Sequence, residues 1–373
     1  MAIKLFRKKE KELYWSPKEI DETNAVYRMV IGQRSNGKTY GTMKKVIEAY
    51  FEEGLSSGYI RRYAEEIRPK YVSELLGPHY KLIEKLSKGK YNSCAYRNNM
   101  FVPCYVDKES GKIETKADQP ILYTVSLNTW NTTKGEDRGE LAYIIFDEFM
   151  TRDLYLKDEF ATFANIISSL VRDREIKCIY MLANTVNKYC PYFEDMGLFH
   201  VAEQEQGSIE VYTYNNEKLT VAVEYCAAAE ATKDIEHYYA FDNPQLDMIT
   251  EGGWEEARYK RISKMDFNCN KDSIVFKFLI DFNKKKVVGE VHRDGISIIL
   301  LFHDLGNSNY KWGEKDIIYT DKDCYSPLHQ NSFKFGSTPA HQWIRQLLSE
   351  DKCYYDNNAT GEVVNNFKKY SIR

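Results

Sequence analysis

The segment at residues 32–39, GQRSNGKT, is the sequence feature that most constrains the fold. It matches G-x-x-x-x-G-K-[ST] at every fixed position and lies between a β-prone run at residues 25–31 and a helix-like run at residues 39–54. Glycines let such a loop curl until its backbone N–H groups point at phosphate oxygens, and the N-terminus of the following helix favours negative charge. The sequence therefore predicts a phosphate-binding loop at the start of a parallel α/β sheet.

Two adjacent carboxylates, Asp147 and Glu148, follow an almost wholly apolar run at residues 141–146. Such a run is typical of a strand buried on both faces, and ligands of open α/β sheets bind at the carboxyl ends of the strands. Lys38 is predicted to reach the β- and γ-phosphates of ATP, while Thr39 and Asp147 hold Mg²⁺. Glu148 is placed to polarise an attacking water. A protein kinase is not expected, because D-F-G is absent.

Two arginines, Arg172 and Arg174, directly follow a helix-like run at residues 158–171. Ring ATPases often complete their site with an arginine from the neighbouring subunit, so either residue is a candidate. Both could instead be helix-end charges favoured by the macrodipole. Arg34, inside the loop itself, is a further candidate for contacting the nucleotide or a neighbouring carboxylate.

Polar and aromatic side chains near the predicted sheet edge offer further candidates. Asn184 ends a strand-like run at residues 177–183, where it could sense the γ-phosphate or make an ordinary Asx turn. Tyr14 and Trp15 precede the first strand, where they could face adenine or pack against the sheet. The residues themselves leave these alternatives open.

The order of the predicted elements divides the chain into two domains and a connector. Residues 1–228 form the α/β domain, residues 229–268 a helical linker, and residues 269–373 a smaller α+β domain. The first domain adds predicted strands at residues 58–63, 121–127, 141–146 and 177–183, helices at 69–88 and 158–171, and hairpins at 100–115 and 208–225. The last domain contains an antiparallel meander at residues 273–282, 286–292 and 296–303, and a helix at 340–348.

Composition excludes several classes of protein. The 52 Lys+Arg and 55 Asp+Glu give a net charge of −3, which argues against a polybasic chromatin protein but not against one basic face on nucleic acid. The eight cysteines are widely spaced without a C-x-x-C pair, which favours free thiols over a zinc ribbon or disulfides. Without an apolar signal-peptide core or a run of about 18 apolar residues, we expect a soluble intracellular protein.

Six strings together resemble the DNA-packaging ATPases, or encapsidation proteins, of small podovirus-type tailed phages. They are LYWSP (13–17), VIGQRSNGKTY (30–40), GYIRRY (58–63), IIFDEF (144–149), LVRDREIKCIYMLAN (170–184) and CPYF (190–193). This resemblance covers roughly the first 200 residues, and the last third is similar only in outline. The family is a branch of the ASCE P-loop ATPases that resembles the FtsK/HerA and terminase motors.

The resemblance implies a RecA-like ATPase domain with a mainly parallel sheet and a C-terminal RNase H-like domain that has lost nuclease activity. It implies an ATP-driven motor that acts on double-stranded DNA as a homopentameric ring at the procapsid portal, in some relatives with a structural RNA. The place of action would be the host cytoplasm, transiently at the procapsid vertex. Arg172 matches the trans-acting arginine finger. Ala64 and Glu65 stand where a relative carries a lysine, so a regulatory role of that lysine does not carry over.

The resemblance matches Lys38, Thr39, Asp147 and Glu148 to the nucleotide and metal site of the family. The residues expected to contact the nucleotide are Gly32, Gln33, Arg34, Ser35, Asn36, Gly37, Lys38, Thr39 and Tyr40, with Tyr14 and Trp15 nearby. DNA contacts need only exposed positive charge. Arg97, Arg152 and Lys157 are the candidates, and the loop after Glu148 is preferred because hydrolysis could move it directly.

The C-terminal third contains carboxylates that a nuclease would need, namely Asp281, Glu290, Asp294 and Asp304. Two-metal cleavage requires several carboxylates that converge on the ions. Because Asp281 and Asp294 lie near turns, where acidic residues are common, we expect a non-catalytic domain. The alternatives are a terminase-like motor with an active nuclease and a nucleotide-dependent switch with no DNA track.

Overall fold

A large mixed sheet organises the first of the two units into which contacts divide the chain, Met1–Glu255 and Glu256–Arg373. The computed structural model describes residues 2–7, 14–130, 139–172, 175–186, 190–215, 218–227, 254, 259–262, 269–305 and 311–371. In the described part of the first unit, the sheet contains β1 (Ala2–Arg7), β2 (Tyr27–Gly32), β3 (Ser56–Arg61), β4 (Ser93–Arg97), β5 (Met100–Val106), β6 (Ile113–Lys116), β7 (Leu122–Ser126), β8 (Leu141–Asp147), β9 (Cys178–Asn184), β10 (Ser208–Tyr214) and β11 (Leu219–Tyr225).

The strand order places parallel strands in the centre and antiparallel strands at the edges. The order is β1-β10-β11-β2-β9-β8-β3-β7-β5-β4, with β6 paired to β5. Strands β11, β2, β9, β8, β3 and β7 run parallel to their neighbours in this series. The hairpin β10–β11 joins the parallel strands through β11, and β1 pairs antiparallel with β10. The predicted α/β fold with a mainly parallel sheet is therefore confirmed.

Helices cover both faces of this sheet, so its central strands are buried on both sides. The helices of the described part are α1 (Lys18–Asp21), α2 (Lys38–Glu53), α3 (Pro69–Leu75), α4 (Tyr80–Leu86), α5 (Glu159–Val171) and α6 (Pro191–Asp195). Along β8, Ile145 joins the core that includes residues of α2, whereas Ile144 and Phe146 join the core that includes residues of α5. Neighbouring residues of a strand point to opposite faces, which explains why the whole run is apolar.

Strand β9 lies between β2 and β8, and this order determines where the functional side chains meet. Gly32 at the end of β2 is in register with Asn184 at the end of β9. Asp147 at the end of β8 is in register with Leu182, also on β9. The carboxyl ends of these three parallel strands therefore bring the phosphate loop, Asn184 and Asp147 to one edge of the sheet.

One predicted helix differs from the structure, and one predicted element lies mostly outside the described residues. The helix predicted at residues 69–88 is divided into α3 and α4 by a short 3₁₀ turn, Gly77–His79. Pro78 lacks a backbone N–H and cannot continue a regular helix from α3. Most of the predicted helical linker, residues 229–268, lies outside the described residues. Trp254 is described, and contacts assign it to the first unit.

The second unit is built on a six-stranded sheet in the order β16-β15-β12-β13-β14-β17. The described strands and helices are β12 (Ile274–Phe282), β13 (Lys285–Asp294), β14 (Ser297–Asp304), β15 (Ile317–Thr320), β16 (His329–Gln330), α7 (Pro339–Ser349), β17 (Cys353–Tyr355) and α8 (Asn358–Tyr370). Strands β12, β13 and β14 form the predicted antiparallel meander, and β15 and β17 add to its two edges in parallel. A smaller α/β domain is thus present. No helix in the described ranges is both long and apolar enough to cross a membrane.

Candidate nucleotide-binding site

The phosphate loop joins β2 to α2 through backbone positions that require glycine. Gly37, the residue before α2, has a φ of 94°, and a Cβ there would lie 3.2 Å from the Cβ of Tyr14. Gly32 ends β2 where a Cβ would lie 2.8 Å from the Cβ of Cys226. Gly37 is thus needed for its left-handed backbone and Gly32 for close approach to the neighbouring chain.

The Lys38 ammonium turns back into the loop. Its Nζ donates to the backbone oxygens of Gln33 at 2.7 Å and Gly32 at 3.3 Å, and to the Oδ1 atoms of Asn36 at 3.0 Å and Asn184 at 3.3 Å. The residue is only 6% exposed. Burial lowers the pKa of Lys38 to about 8, because water no longer solvates the charged form. Phosphate oxygens can take the place of these neutral acceptors and favour the charged form again.

Thr39, in the first turn of α2, and Asp147, at the end of β8, lie close together beside this lysine. The Thr39 hydroxyl lies 3.4 and 3.5 Å from the two carboxylate oxygens of Asp147. Tyr59 donates its hydroxyl to Asp147 Oδ2 at 2.8 Å. Burial raises the pKa of Asp147, and the nearby Arg61 guanidinium opposes that shift. A buried carboxylate beside a hydroxyl is a pair of oxygen ligands of the kind that Mg²⁺ prefers.

Glu148 sits in a strained backbone conformation next to Asp147. Its φ is 57°, in the left-handed region that non-glycine residues seldom adopt. Its Oε2 accepts a hydrogen bond from Arg61 Nη2 at 2.8 Å, and its side chain is half exposed. Arg61 Nε also donates to Glu66 Oε2 at 3.2 Å. Arg61 therefore holds the carboxylate that would act on water, while it faces Asp147 at 3.7 Å.

Arg62 connects the segment after β8 to the start of α5. Its Nη1 donates to the backbone oxygen of Glu148 at 3.1 Å and its Nη2 to that of Phe149 at 2.6 Å. The same guanidinium binds both carboxylate oxygens of Glu159, at 2.9–3.1 Å. Tyr192 donates its hydroxyl to Glu159 Oε1 at 2.9 Å. Arg62 and Glu159 are each 3% exposed, so this charge-assisted network is fully desolvated.

Two neighbouring cavities open at this edge of the sheet. A cavity of about 610 Å³ is lined by the phosphate loop and by Tyr14, Tyr40 and Asn184. A second cavity of about 230 Å³ is lined by Arg34, Glu148, Met150, Thr151, Arg152, Asn184, Thr185 and Val186. Asn184 belongs to both cavities. The larger one has the size of a small-molecule site, with exposed tyrosine rings at its side.

Residues 9–224 match the family described as podovirus DNA encapsidation protein (Gp16). The chain belongs to this encapsidation family. The family that the six sequence strings predicted is thereby confirmed.

Individual relatives of the encapsidation family agree with this assignment at low identity. The DNA packaging proteins of Bacillus phages PZA and phi29 are each 24% identical over 192 residues, which cover 49% of this chain and 50% of each relative. The chain therefore spans about half the length of the curated relatives it matches.

Two solved structures share the fold over almost the whole chain. A chain of the bacteriophage phi29 viral genome packaging motor assembly is 18% identical with a TM-score of 0.56, covering 96% of this chain and 100% of that one. A chain of the phi28 gp11 DNA packaging motor is 14% identical with a TM-score of 0.52, covering 96% of this chain and 98% of that one.

The encapsidation-family chain brings together most of the residues predicted to bind the nucleotide. Residues 35–39, Tyr14 and Tyr40 line the larger cavity, and Asn184 contacts Lys38. Gly32 and Gln33 contact Lys38 through their backbone oxygens, whereas Arg34 lines the smaller cavity. Trp15 is placed differently. It is buried, donates its Nε1 hydrogen to Glu224 Oε2 at 2.9 Å, and packs beneath Gly41 at the first turn of α2. The alternative that Trp15 packs against the sheet therefore fits its position better than a direct contact with adenine.

The predicted arginine finger and DNA-binding residues lie on different parts of the surface. Arg172 is exposed at the C-terminal end of α5, and Arg174 lies outside the described residues. Arg152 and Lys157 are exposed in the segment between β8 and α5. Arg97 is exposed on β4, the edge strand farthest along the sheet from β1.

Four residues that shape the site were not predicted, namely Tyr59, Arg61, Arg62 and Glu159. The string GYIRRY contained a usable signal, because two consecutive arginines at the end of a buried strand are costly unless carboxylates face them. Once β3 is placed beside β8, Asp147 and Glu148 are the natural partners. No comparable signal identified Glu159, because it begins an ordinary amphipathic helix.

Two of the four carboxylates considered for a nuclease in the second unit, Glu290 and Asp281, are engaged with basic side chains. Glu290 lies 2.5 Å from Lys277 Nζ, 3.1 Å from His292 Nε2 and 3.3 Å from His303 Nε2. The hydrogen bond from His303, followed by the one from Lys277, lowers the pKa of Glu290 to about 2. Asp281 lies 2.8 Å from Lys322 Nζ. Within the part of the chain that the structure describes, no group of three or more acidic, histidine or cysteine side chains is arranged to hold a metal.

Proposed function

We propose that this chain is the ATPase of a DNA-packaging motor, which drives double-stranded viral DNA into a procapsid. The observation that carries the proposal is the convergence of Lys38, Thr39, Asp147 and Glu148 on one sheet edge, beside a cavity large enough for a nucleotide. Membership of the encapsidation family supports DNA as the track. The relatives named above are packaging proteins, and the whole activity is inferred from them for this chain.

In the proposed reaction, each residue has a role that follows from its contacts. Lys38 exchanges its neutral acceptors for the β- and γ-phosphate oxygens, with Asn184 close enough to sense the γ-phosphate. Glu148 accepts a proton from water while the water oxygen bonds to the γ-phosphorus and the bond to the bridging oxygen of ADP breaks. Arg61 holds Glu148 before substrate binds and must release or reorient it for this step.

Thr39 and Asp147 fit Mg²⁺ as a cofactor, because both supply hard oxygen ligands and the buried Asp147 needs compensating positive charge. Mg²⁺ bound there would neutralise charge on the phosphates. Tyr14 and Tyr40, each about half exposed at the rim of the cavity, are the proposed contacts for the base. Trp15 is proposed to stabilise the phosphate loop, because its backbone N–H donates to the Asn36 carbonyl at 2.8 Å.

The proposed assembly is a homopentameric ring at the portal of the procapsid in the host cytoplasm, with a packaging RNA as an additional partner. Arg172, or Arg174 two residues later, would reach the γ-phosphate of the neighbouring subunit. Arg172 is exposed at the C-terminal end of α5, a helix that buries one face against the sheet, and this position supports the role. Arg152 and Lys157 are the proposed DNA contacts of the catalytic segment, and Arg97 is a third candidate at the sheet edge.

We further propose the domain boundaries of the motor as residues 1–228 for the ATPase domain, 229–268 for a linker, and 269–373 for an RNase H-like domain without nuclease activity. The meander with parallel strands added at its edges supports the RNase H-like assignment. The basic side chains around Glu290 and Asp281 support a non-catalytic role.

Steady-state ATP hydrolysis with and without double-stranded DNA tests the proposal, with the Glu148→Gln variant measured in parallel. We expect DNA to stimulate turnover and Glu148→Gln to reduce it at least a hundredfold while nucleotide binding persists. Glu65→Gln, on the exposed side of the turn after β3, is the matched control and should keep normal turnover. Turnover that DNA does not change would point to a switch ATPase instead of a motor.

A further inference from the structure

The smaller of the two cavities has the features of an anion site beyond the γ-phosphate position. Its volume of about 230 Å³ is enough for one tetrahedral anion with some water. It shares Asn184 with the nucleotide cavity, and Asn184 contacts the Lys38 ammonium at 3.3 Å. The two cavities therefore adjoin each other at Asn184.

The cavity combines exposed cations with a buried hydroxyl. Arg34 and Arg152 are exposed residues of its lining, whereas Met150, Thr185 and Val186 are buried in its floor. Thr185 is 2% exposed, and its Oγ1 has no hydrogen-bond partner among the residues that the structure describes. A buried hydroxyl without a partner costs free energy, roughly 1–3 kcal/mol, unless a ligand or water satisfies it.

The backbone fixes Thr185 in this place. Its N–H donates to the carbonyl of Gly32 at 3.0 Å, so Thr185 is attached to the first residue of the phosphate loop. Thr185 also directly follows Asn184, the residue common to both cavities. The unsatisfied hydroxyl is therefore held at a constant position relative to the loop that binds the phosphates.

We propose that this cavity is a subsite for inorganic phosphate, which it receives after cleavage from ATP and holds before release. The inference rests on the proposed ATPase function and adds the place where the product pauses. Thr185 donates its hydroxyl to the anion, and Arg34 and Arg152 supply the positive charge. Asn184 stands at the passage between the γ-phosphate position and the subsite.

Glu148 also lines the cavity, and its negative charge repels an anion there, which favours release of the phosphate.

Binding of inorganic phosphate to the full-length protein saturated with ADP and Mg²⁺ provides the first test. Titration calorimetry or ³¹P line broadening should show that Thr185→Val weakens phosphate binding about tenfold, the value of one hydrogen bond to an anion. ADP affinity should stay unchanged. Glu148→Gln, which removes the carboxylate charge, should tighten phosphate binding.

Thr162→Val is the matched control, because Thr162 is a half-buried residue of α5 and lies in neither cavity lining. Arg152→Gln is a second variant at the exposed rim, and it keeps the test valid if Thr185→Val fails to fold. We expect Arg152→Gln to weaken phosphate binding and Thr162→Val to leave it unchanged. Phosphate affinity that survives both Thr185→Val and Arg152→Gln would overturn the inference.

A single-turnover assay with a fluorescent phosphate-binding reporter separates product phosphate from phosphate added in solution. Thr185→Val should release product phosphate several-fold faster than the unmodified protein, when each release rate is compared with the cleavage rate measured in the same experiment. Equal release rates would mean that only added phosphate uses the cavity, which contradicts the proposed role. If the unmodified protein does not hydrolyse ATP with DNA present, the proposed function fails first, and the ADP–phosphate titration still tests the subsite alone.

Discussion

At the residue scale, the site contains two ionisable side chains whose charged forms are disfavoured by burial in the free protein. Lys38 is a buried ammonium with neutral acceptors, and Asp147 is a buried carboxylate whose pKa burial raises. Phosphate and a cation would add opposite charge next to these two groups. Binding of a nucleotide with Mg²⁺ would thus offset part of the desolvation cost of the unliganded site.

The lowered pKa of Lys38 predicts proton uptake on nucleotide binding. At pH 8, a lysine with a pKa of about 8 is half protonated in the free protein, whereas the phosphates of a bound nucleotide hold it fully charged. Calorimetry with a non-hydrolysable ATP analogue at pH 8, in buffers of different ionisation enthalpy, should report about half a proton taken up per nucleotide. Affinity should fall as the pH rises above 8, because more of the free lysine is neutral.

The control for this prediction is Lys44→Gln, on the exposed surface of α2. This variant removes a solvent-exposed lysine of the same helix and leaves Lys38 in place, so proton uptake at pH 8 should persist. A heat of binding that does not depend on the buffer would show that Lys38 stays charged in the free protein.

At the scale of elements, the Arg62–Glu159 pair joins three parts of the ATPase domain. Arg62 follows β3, its Nη2 contacts the backbone after β8, and Glu159 is the first residue of α5. The opposite end of α5 carries Arg172. Helix α5 thus connects the segment after Glu148 with the exposed Arg172.

Removing one member of this buried pair should destabilise the domain strongly. Glu159→Ala leaves the Arg62 charge buried without its carboxylate, and we expect the free energy of unfolding to fall by about 3–5 kcal/mol. Urea unfolding followed by tryptophan fluorescence measures the change. The double variant Arg62→Met with Glu159→Leu should recover much of the loss, because it leaves no unpaired charge.

Glu66→Ala offers a comparison within the same turn. Glu66 pairs with Arg61 but is partly exposed, so its loss should cost about 1 kcal/mol or less. A Glu159→Ala effect no larger than that of Glu66→Ala would mean that the pair is not needed to hold α5 against the segment after β8.

At the scale of the whole molecule, the two units have separate hydrophobic cores. Two clusters on the faces of the large sheet stabilise the first unit, and a third cluster stabilises the second. The proposed boundary at residue 228 leaves Trp254 in the linker. Its ring centroid nevertheless lies 6.3 Å from that of Phe193 and 5.5 Å from that of Tyr225.

These ring contacts predict where the first unit can be cut. A chain that ends after residue 255 should melt at a higher temperature than one that ends after residue 228, because only the longer chain buries the Trp254 ring. Thermal unfolding of the two chains measures the difference, and Trp254→Ala in the longer chain should remove most of it. Equal melting temperatures would show that the Trp254 contacts do not stabilise the first unit, which would favour the domain boundary at residue 228.

The salt-bridged carboxylates of the second unit predict how it responds to metal and acid. We expect no Mn²⁺-dependent cleavage of plasmid DNA by the full chain, because Glu290 and Asp281 already contact basic side chains. Since the folded pKa of Glu290 is about 2, below the usual 4.5, its contribution to stability is present above pH 4.5 and is lost as the pH falls through 2. Acid unfolding of Glu290→Gln should lack this component, whereas cleavage by the unmodified chain would revive the nuclease alternative.

The sequence alone was sufficient for the phosphate loop, the apolar strand before Asp147 and the meander of the second unit. These features are local, because a loop pattern, a buried run or an alternating run specifies its own backbone over a few residues. The short strands β15 and β17 and the helix α8 were not predicted. β15 and β17 have four and three residues, and their pairing partners, which lie far away in the chain, decide whether they form.

Tertiary structure alone decided the electrostatic surroundings of the site. Arg61 and Arg62 lie 86 or more residues before the backbone and carboxylate groups of Glu148 that they contact, and β3 must pair with β8 before they meet. The same holds for the Thr185 hydroxyl, which has no hydrogen-bond partner in the described part of the chain because of how the residues around it pack. A sequence can specify which chemical groups are present near a loop. The burial of these groups and the distances to their partners depend on the assembled sheet, and they determine the pKa values and which hydrogen bonds are formed.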